Sequence, residues 1–125
     1  MAWGKRIPGA EGGFRASVDM RSLQYHPVMI SADQQVAIVR SLTQPVLGIL
    51  QNNPNTGENA DVQVLGFSKM VADAAVTRGS QLAVSASGYV VTETNVGSWV
   101  FAIAVEAAGA VGDIFTGLII GPHGL

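Results

Sequence analysis

Val46-Leu-Gly-Ile-Leu-Gln-Asn-Asn-Pro-Asn-Thr-Gly-Glu-Asn-Ala-Asp-Val-Gln-Val-Leu65 reads as two strands around a turn. Val46 to Leu50 is a short apolar run, and Asp61 to Leu65 alternates polar with apolar residues, the period of a half-buried strand. Between them, Gln51 to Gly57 gathers asparagine, proline and glycine. Asparagine bonds to its own backbone, proline presets φ, and glycine accepts a positive φ, so the stretch turns the chain. The same grammar runs outward in both directions. Val36-Ala-Ile-Val39 is short and β-branched, and Met70-Val-Ala72 suits a further strand. Arg78-Gly-Ser80 turns into the alternating Gln81-Leu-Ala-Val84, and Ser85-Ala-Ser-Gly88 turns into Tyr89-Val-Val-Thr-Glu-Thr94. Trp99 to Val105 is apolar on both faces, Ala107 to Gly112 turns, and Ile114 to Ile120 is the last strand. Gln34 to Leu50 holds enough alanine, valine and leucine for a helix capped by Asp33, but Pro45 and Gly48 interrupt it. Short strands at close spacing favour a mainly β fold, a small single-domain barrel or sandwich of short antiparallel strands with an extended N-terminal arm. Val46 to Gly66 is echoed by Val100 to Gly121: apolar strand, loop, glycine-acid pair, apolar strand ending in glycine. The echo is evidence for two hairpins.

The arm is read from charge. Up to Gln24, Lys5, Arg6, Arg15 and Arg21 stand against Glu11 and Asp19; from Tyr25 onward three basic residues stand against seven acidic ones. The opening also carries Gly4, Gly9, Gly12, Gly13 and Pro8, which break regular structure. Residues 1–24 are therefore expected to form a basic, glycine-rich arm, and residues 25–125 a β-rich domain. Trp3, Ile7, Phe14 and Val18 give the arm apolar anchors that a purely solvated tail lacks. Trp3, Lys5, Arg6, Ile7, Phe14, Arg15 and Arg21 are the candidate contacts to a neighbouring subunit. In the body, Trp99, Phe101 and Phe115 are candidates for the core or an oligomer interface.

Composition points to association. Of the 125 residues, 48% are hydrophobic and 13% charged, where an ordinary soluble domain has about a quarter charged. A monomer with so few charges shows water an apolar skin, and contiguous apolar surface marks protein–protein contact. The net charge of −2 argues against nucleic acid, which selects a basic face. Cysteine is absent, so thiolate metal sites and disulfides are excluded. No apolar run approaches the roughly eighteen residues of a membrane-spanning helix. Met1-Ala-Trp-Gly-Lys-Arg6 has no apolar stretch behind its basic pair, so no secretory signal is expected.

A search for chemistry comes back empty. The two histidines, His26 and His123, lack a serine-nucleophile signature around them. They read as surface or interface residues before they read as metal ligands with Asp33 or Asp113. Glu58 and Glu106 are scattered singly, and no phosphate-binding glycine loop occurs. Trp3, Trp99, Phe101 and Phe115 are not interleaved with basic residues as a base-stacking platform is. No catalytic residue, cofactor or metal is expected.

Gly48 to Lys69, written Gly-Ile-Leu-Gln-Asn-Asn-Pro-Asn-Thr-Gly-Glu-Asn-Ala-Asp-Val-Gln-Val-Leu-Gly-Phe-Ser-Lys, resembles a stretch of the head-decoration, or capsid cement, proteins of tailed bacteriophages. In that family an apolar strand ending in Gln-Asn meets a proline-glycine turn, and a Gly-Glu-x-Ala-x-Val strand leads to a glycine and a basic residue. Val76-Thr-Arg-Gly-Ser-Gln-Leu82, the turn ending at Gly88, Ala102 to Ala108 and Gly112-Asp113 follow in a similar order. The likeness covers Val36 to Ile120; the arm departs from the shorter members. The resemblance implies a β-rich fold, homotrimers on the capsid exterior, the major capsid protein as partner and stabilisation of the expanded shell. It implies no cofactor, and host cytoplasm during assembly; that no nucleic acid and no membrane are expected as partners rests on the charge and the apolar runs above. Two other readings share the apolar β composition: a tail-tube or head-completion protein, and a monomeric β-barrel ligand-binding module with a polar-lined pocket.

Overall fold

Strands and turns, with no helix, make up the residues that the computed structural model describes: 14–39, 45–94 and 99–124. The first six strands are β1 (Phe14–Ala16), β2 (Pro27–Ala32), β3 (Gln35–Ile38), β4 (Gly48–Leu50), β5 (Asn59–Ala60) and β6 (Val62–Gln63). They form one sheet in the order β5-β1-β3-β2-β4-β6. Only Asp61 separates β5 from β6, so a single segment pairs with β1 on one side and β4 on the other. Phe14 stands opposite Ala60, and Leu50 opposite Val62. This double pairing curls the sheet into a nearly closed barrel. Asp61 keeps the segment continuous: its N–H donates to Asn52 Oδ1 at 3.1 Å and its carbonyl accepts Gln51 N–H at 2.7 Å. Ala16, Met20, Val28, Val36, Leu50, Ala60 and Val62 fill the interior.

The remaining strands are β7 (Gly66–Val71), β8 (Gln81–Val84), β9 (Val90–Thr92), β10 (Trp99–Ala104) and β11 (Ile114–Gly124). Their sheet has the order β7-β11-β10-β8-β9 and curls until Ala72, just past β7, bridges Val90. Its inner face lies on the barrel wall. Met70, Leu82, Val84, Val90, Phe101, Phe115 and Ile119 share a core with Val39, Val46 and Ile49, and Tyr25 and Met29 pack against it. Strand β4 thus serves two cores, with Ile49 facing the second sheet and Leu50 the barrel. A side chain at Gly48 is excluded, because a Cβ there runs into the Gln63 carbonyl and lies 2.9 Å from Val62 Cγ1.

The expected mainly β barrel is what forms, and both echoed segments contain antiparallel pairs, β4 with β6 and β10 with β11. Their acids act alike. Glu58 Oε1 accepts Asn55 N–H at 2.7 Å, and Asp113 Oδ2 accepts Gly109 and Ala110 N–H at 3.0 and 3.1 Å. The structure departs from one expectation and adds detail to two others. One strand pairing, β1 with β3, is parallel. Ahead of the boundary expected at Tyr25, β1 lies inside the barrel sheet and Met20 is fully buried. Charge changes sign near residue 25, but Phe14, Ala16 and Met20 belong to the barrel core on apolar grounds. Of the three residues expected in the core or an oligomer interface, Phe101 and Phe115 are buried in the core and Trp99 is 44% exposed. A bulge in β10 between Val100 and Ala102 breaks the alternation there, so that Phe101 and Ala102 both enter the core.

Candidate interaction surface

The outer face of the second sheet has no layer over it among the described residues, yet its side chains are apolar. Phe67 of β7 stands opposite Leu118 of β11, which stands opposite Ile103 of β10. Directly opposed residues on one face touch, so the three make an apolar row across the sheet. Phe67 is 66% exposed, Leu118 and Ile103 are half-buried, and Ile120, two residues beyond Leu118, is exposed. One pleat further along, Lys69 faces Thr116, and Val105 N–H donates to the Thr116 carbonyl at 3.0 Å. Val105 and Ile114 are also exposed. Two charges border the row of Thr116. Lys69 Nζ lies 5.9 Å from the Tyr25 ring centroid, and Glu106 Oε1 accepts Thr116 N–H at 2.9 Å.

The sequence reading did not single out this face. Its signal is the run Ile114-Phe-Thr-Gly-Leu-Ile-Ile120, apolar at both parities, which normally means a layer on each side of the strand. Here one of the two layers is absent from the described chain.

The expected contact residues fall into three groups. Trp3, Lys5, Arg6 and Ile7 lie outside the described residues. Phe14 is half-buried against the barrel core, and Arg15 is exposed on β1, its N–H donating to the Gln34 carbonyl at 2.9 Å. Arg21 is exposed and bound in a fork to Asp19, Nε to Oδ1 at 2.9 Å and Nη2 to Oδ2 at 2.8 Å. The Arg21 hydrogen bond holds the Asp19 carboxyl below its ordinary range. The structure therefore places Arg15 and Arg21 on the barrel, away from Trp99 on the second sheet.

Of the residues weighed for chemistry, His26, Glu58, Glu106 and Asp113 have structural partners. His26 is buried, with Nδ1 2.9 Å from the Gly88 carbonyl and its ring edge-on to Tyr89 at 4.9 Å. A carbonyl only accepts, so Nδ1 carries the proton. His123 lies in β11. Glu58 and Glu106 hold backbone N–H groups on the barrel and the second sheet respectively. No three histidine, aspartate or glutamate side chains come together as metal ligands among the described residues.

Residues 21–120 match the family model described as phage cement protein. Among solved structures, the head fiber gp8.5 N base of bacteriophage phi29 is similar, with a TM-score of 0.66 and 18% identity. The match covers 85% of this chain and 89% of that one. At that identity the likeness shows a shared fold. No curated protein matches the chain.

Proposed function

The chain belongs to the phage cement protein family, which makes it a capsid-associated structural protein of a bacteriophage, and we propose that it binds the outer surface of the expanded head as trimers. The observation that carries this reading is the family match over residues 21–120. The exposed apolar face of the second sheet supports it, since such a face suits protein contact. The major capsid protein is the partner, met in the virion after assembly in the host cytoplasm. Clamps that hold several capsid subunits at once strengthen a shell through avidity, without new kinds of contact.

Residues 1–13, with Trp3, Lys5, Arg6 and Ile7, supply a further contact to an adjacent capsid or cement subunit. Arg15 and Arg21 flank that contact on the barrel, and Trp99 lies at an oligomer interface. Cryo-electron microscopy of purified particles tests the main reading. Density for this chain in three-fold clusters on the head exterior is expected; density in the tail alone, or none on the particle, overturns it. Deleting residues 2–13 leaves β1 in place and is expected to weaken capsid binding at least tenfold. Unchanged binding removes the contact assigned to that segment.

A further inference from the structure

The geometry points to a second copy of this chain as the occupant of the second sheet's outer face. The inference rests on the self-association proposed above and assigns it a surface. Phe67, Leu118, Ile103 and Ile120 form one contiguous apolar patch, extended by Val105 and Ile114. Together they present on the order of 500 Å² to water, against about 800 Å² that each partner contributes to a standard stable interface. The patch is thus large enough to be the centre of such an interface.

Strand β1, at the start of the described chain, lies away from the patch. Strand β1 contributes to the barrel interior alone, while β2 and β4, across the barrel from it, contribute Met29 and Ile49 to the core shared with the second sheet. Phe14, where the described chain begins, therefore lies across the barrel from the second sheet. Charge favours a copy of the same chain. Lys69 and Glu106 stand at either side of the Thr116 row, so packing the β7 side of one face on the β10 side of the next places the lysine of one chain near the glutamate of the other. A partner carrying only one sign of charge leaves one of them unmatched.

The absence of cysteine makes the test clean. Chains carrying Lys69→Cys are mixed with chains carrying Glu106→Cys, and disulfide-linked dimers are counted under mild oxidation. Arg78→Cys paired with Thr56→Cys, both exposed and away from the patch, serves as the control. Sedimentation of the wild type, Phe67→Asp and Ile120→Asp reads association directly, and circular dichroism checks that each variant is folded. Both aspartate positions are already exposed, so folding is expected to survive. The expected result is an oligomeric wild type, at least tenfold weaker association in both folded variants, and linkage between the 69 and 106 chains well above the control. A wild type that is monomeric in solution yet binds capsids overturns the inference and leaves the proposed function standing. Association untouched by both aspartates, or linkage no greater than the control, also overturns it.

Discussion

At the scale of single residues, two glycines with nearly the same backbone angle separate conformational cost from packing cost. Gly79 has φ +86° with open space where a Cβ would lie; Gly88 has φ +84° with Ile38 Cδ1 2.8 Å from that point. Gly79→Ala is expected to cost about 1–2 kcal/mol, the price of a left-handed alanine, and Gly88→Ala about 3 kcal/mol once Ile38 must shift. Urea titration with an unchanged slope gives both numbers. Phe101→Ala is expected to cost about 3–5 kcal/mol of folding stability, and Trp99→Ala less than about 1 kcal/mol in the isolated chain. Equal losses contradict the placement of Trp99 outside the core. The pair of Asp19 and Arg21 has a pH signature. The folded-state pKa of Asp19 lies below its ordinary 3.8, so its contribution is present above that value and is lost as pH falls through the folded pKa. Asp19→Asn should therefore be slightly less stable than the wild type at neutral pH and equal to it in strong acid. A difference that persists in acid means that the substitution acts through something other than charge.

At the scale of elements, legibility followed length and period. Gln81–Val84 has the bounds read from its alternation, and Val36–Val39 is displaced by one residue. The turn Gln51 to Gly57 was legible because its residue types act locally. Strand β2 was not, since Pro27 opens it and Val28 and Met29 face different cores, which leaves no clean polar-apolar period. Strands β1, β5 and β6 have three, two and two residues, too few to show any period. Their pairings join residues distant in sequence, so only the fold reveals them. The same limit hid the exposed sheet face, because doubly apolar strands announce burial without saying which chain provides it. The closing segment of the barrel is the element most open to test. Gly48→Ala drives a methyl group into the Gln63 carbonyl and should cost about 2–3 kcal/mol, with hydrogen-exchange protection falling first at β4 and β6. Uniform loss of protection instead means that the barrel opens only together with the whole molecule.

At the scale of the molecule, two cores share strands. Val28 of β2 points into the barrel while Met29 packs on the second core, and β4 divides Leu50 and Ile49 in the same way. Neither core is complete without those strands, so unfolding is expected to be a single transition. Tryptophan fluorescence and far-ultraviolet circular dichroism should give one denaturant midpoint, and Val28→Ala and Leu82→Ala should each move both probes together. Separate midpoints mean that the barrel and the second sheet unfold independently. The threading of β1 has a mechanical meaning too. Arg15 N–H bonds to Gln34 and Ser17 N–H to Val36 on one flank, while Ala16 N–H bonds to Glu58 and Gly57 N–H to Ala16 on the other. Tension applied along β1 through the residues before it loads these bonds in shear on both flanks at once, and they must yield together instead of unzipping in turn. A tether fastened there resists a steady pull far better than its three residues suggest.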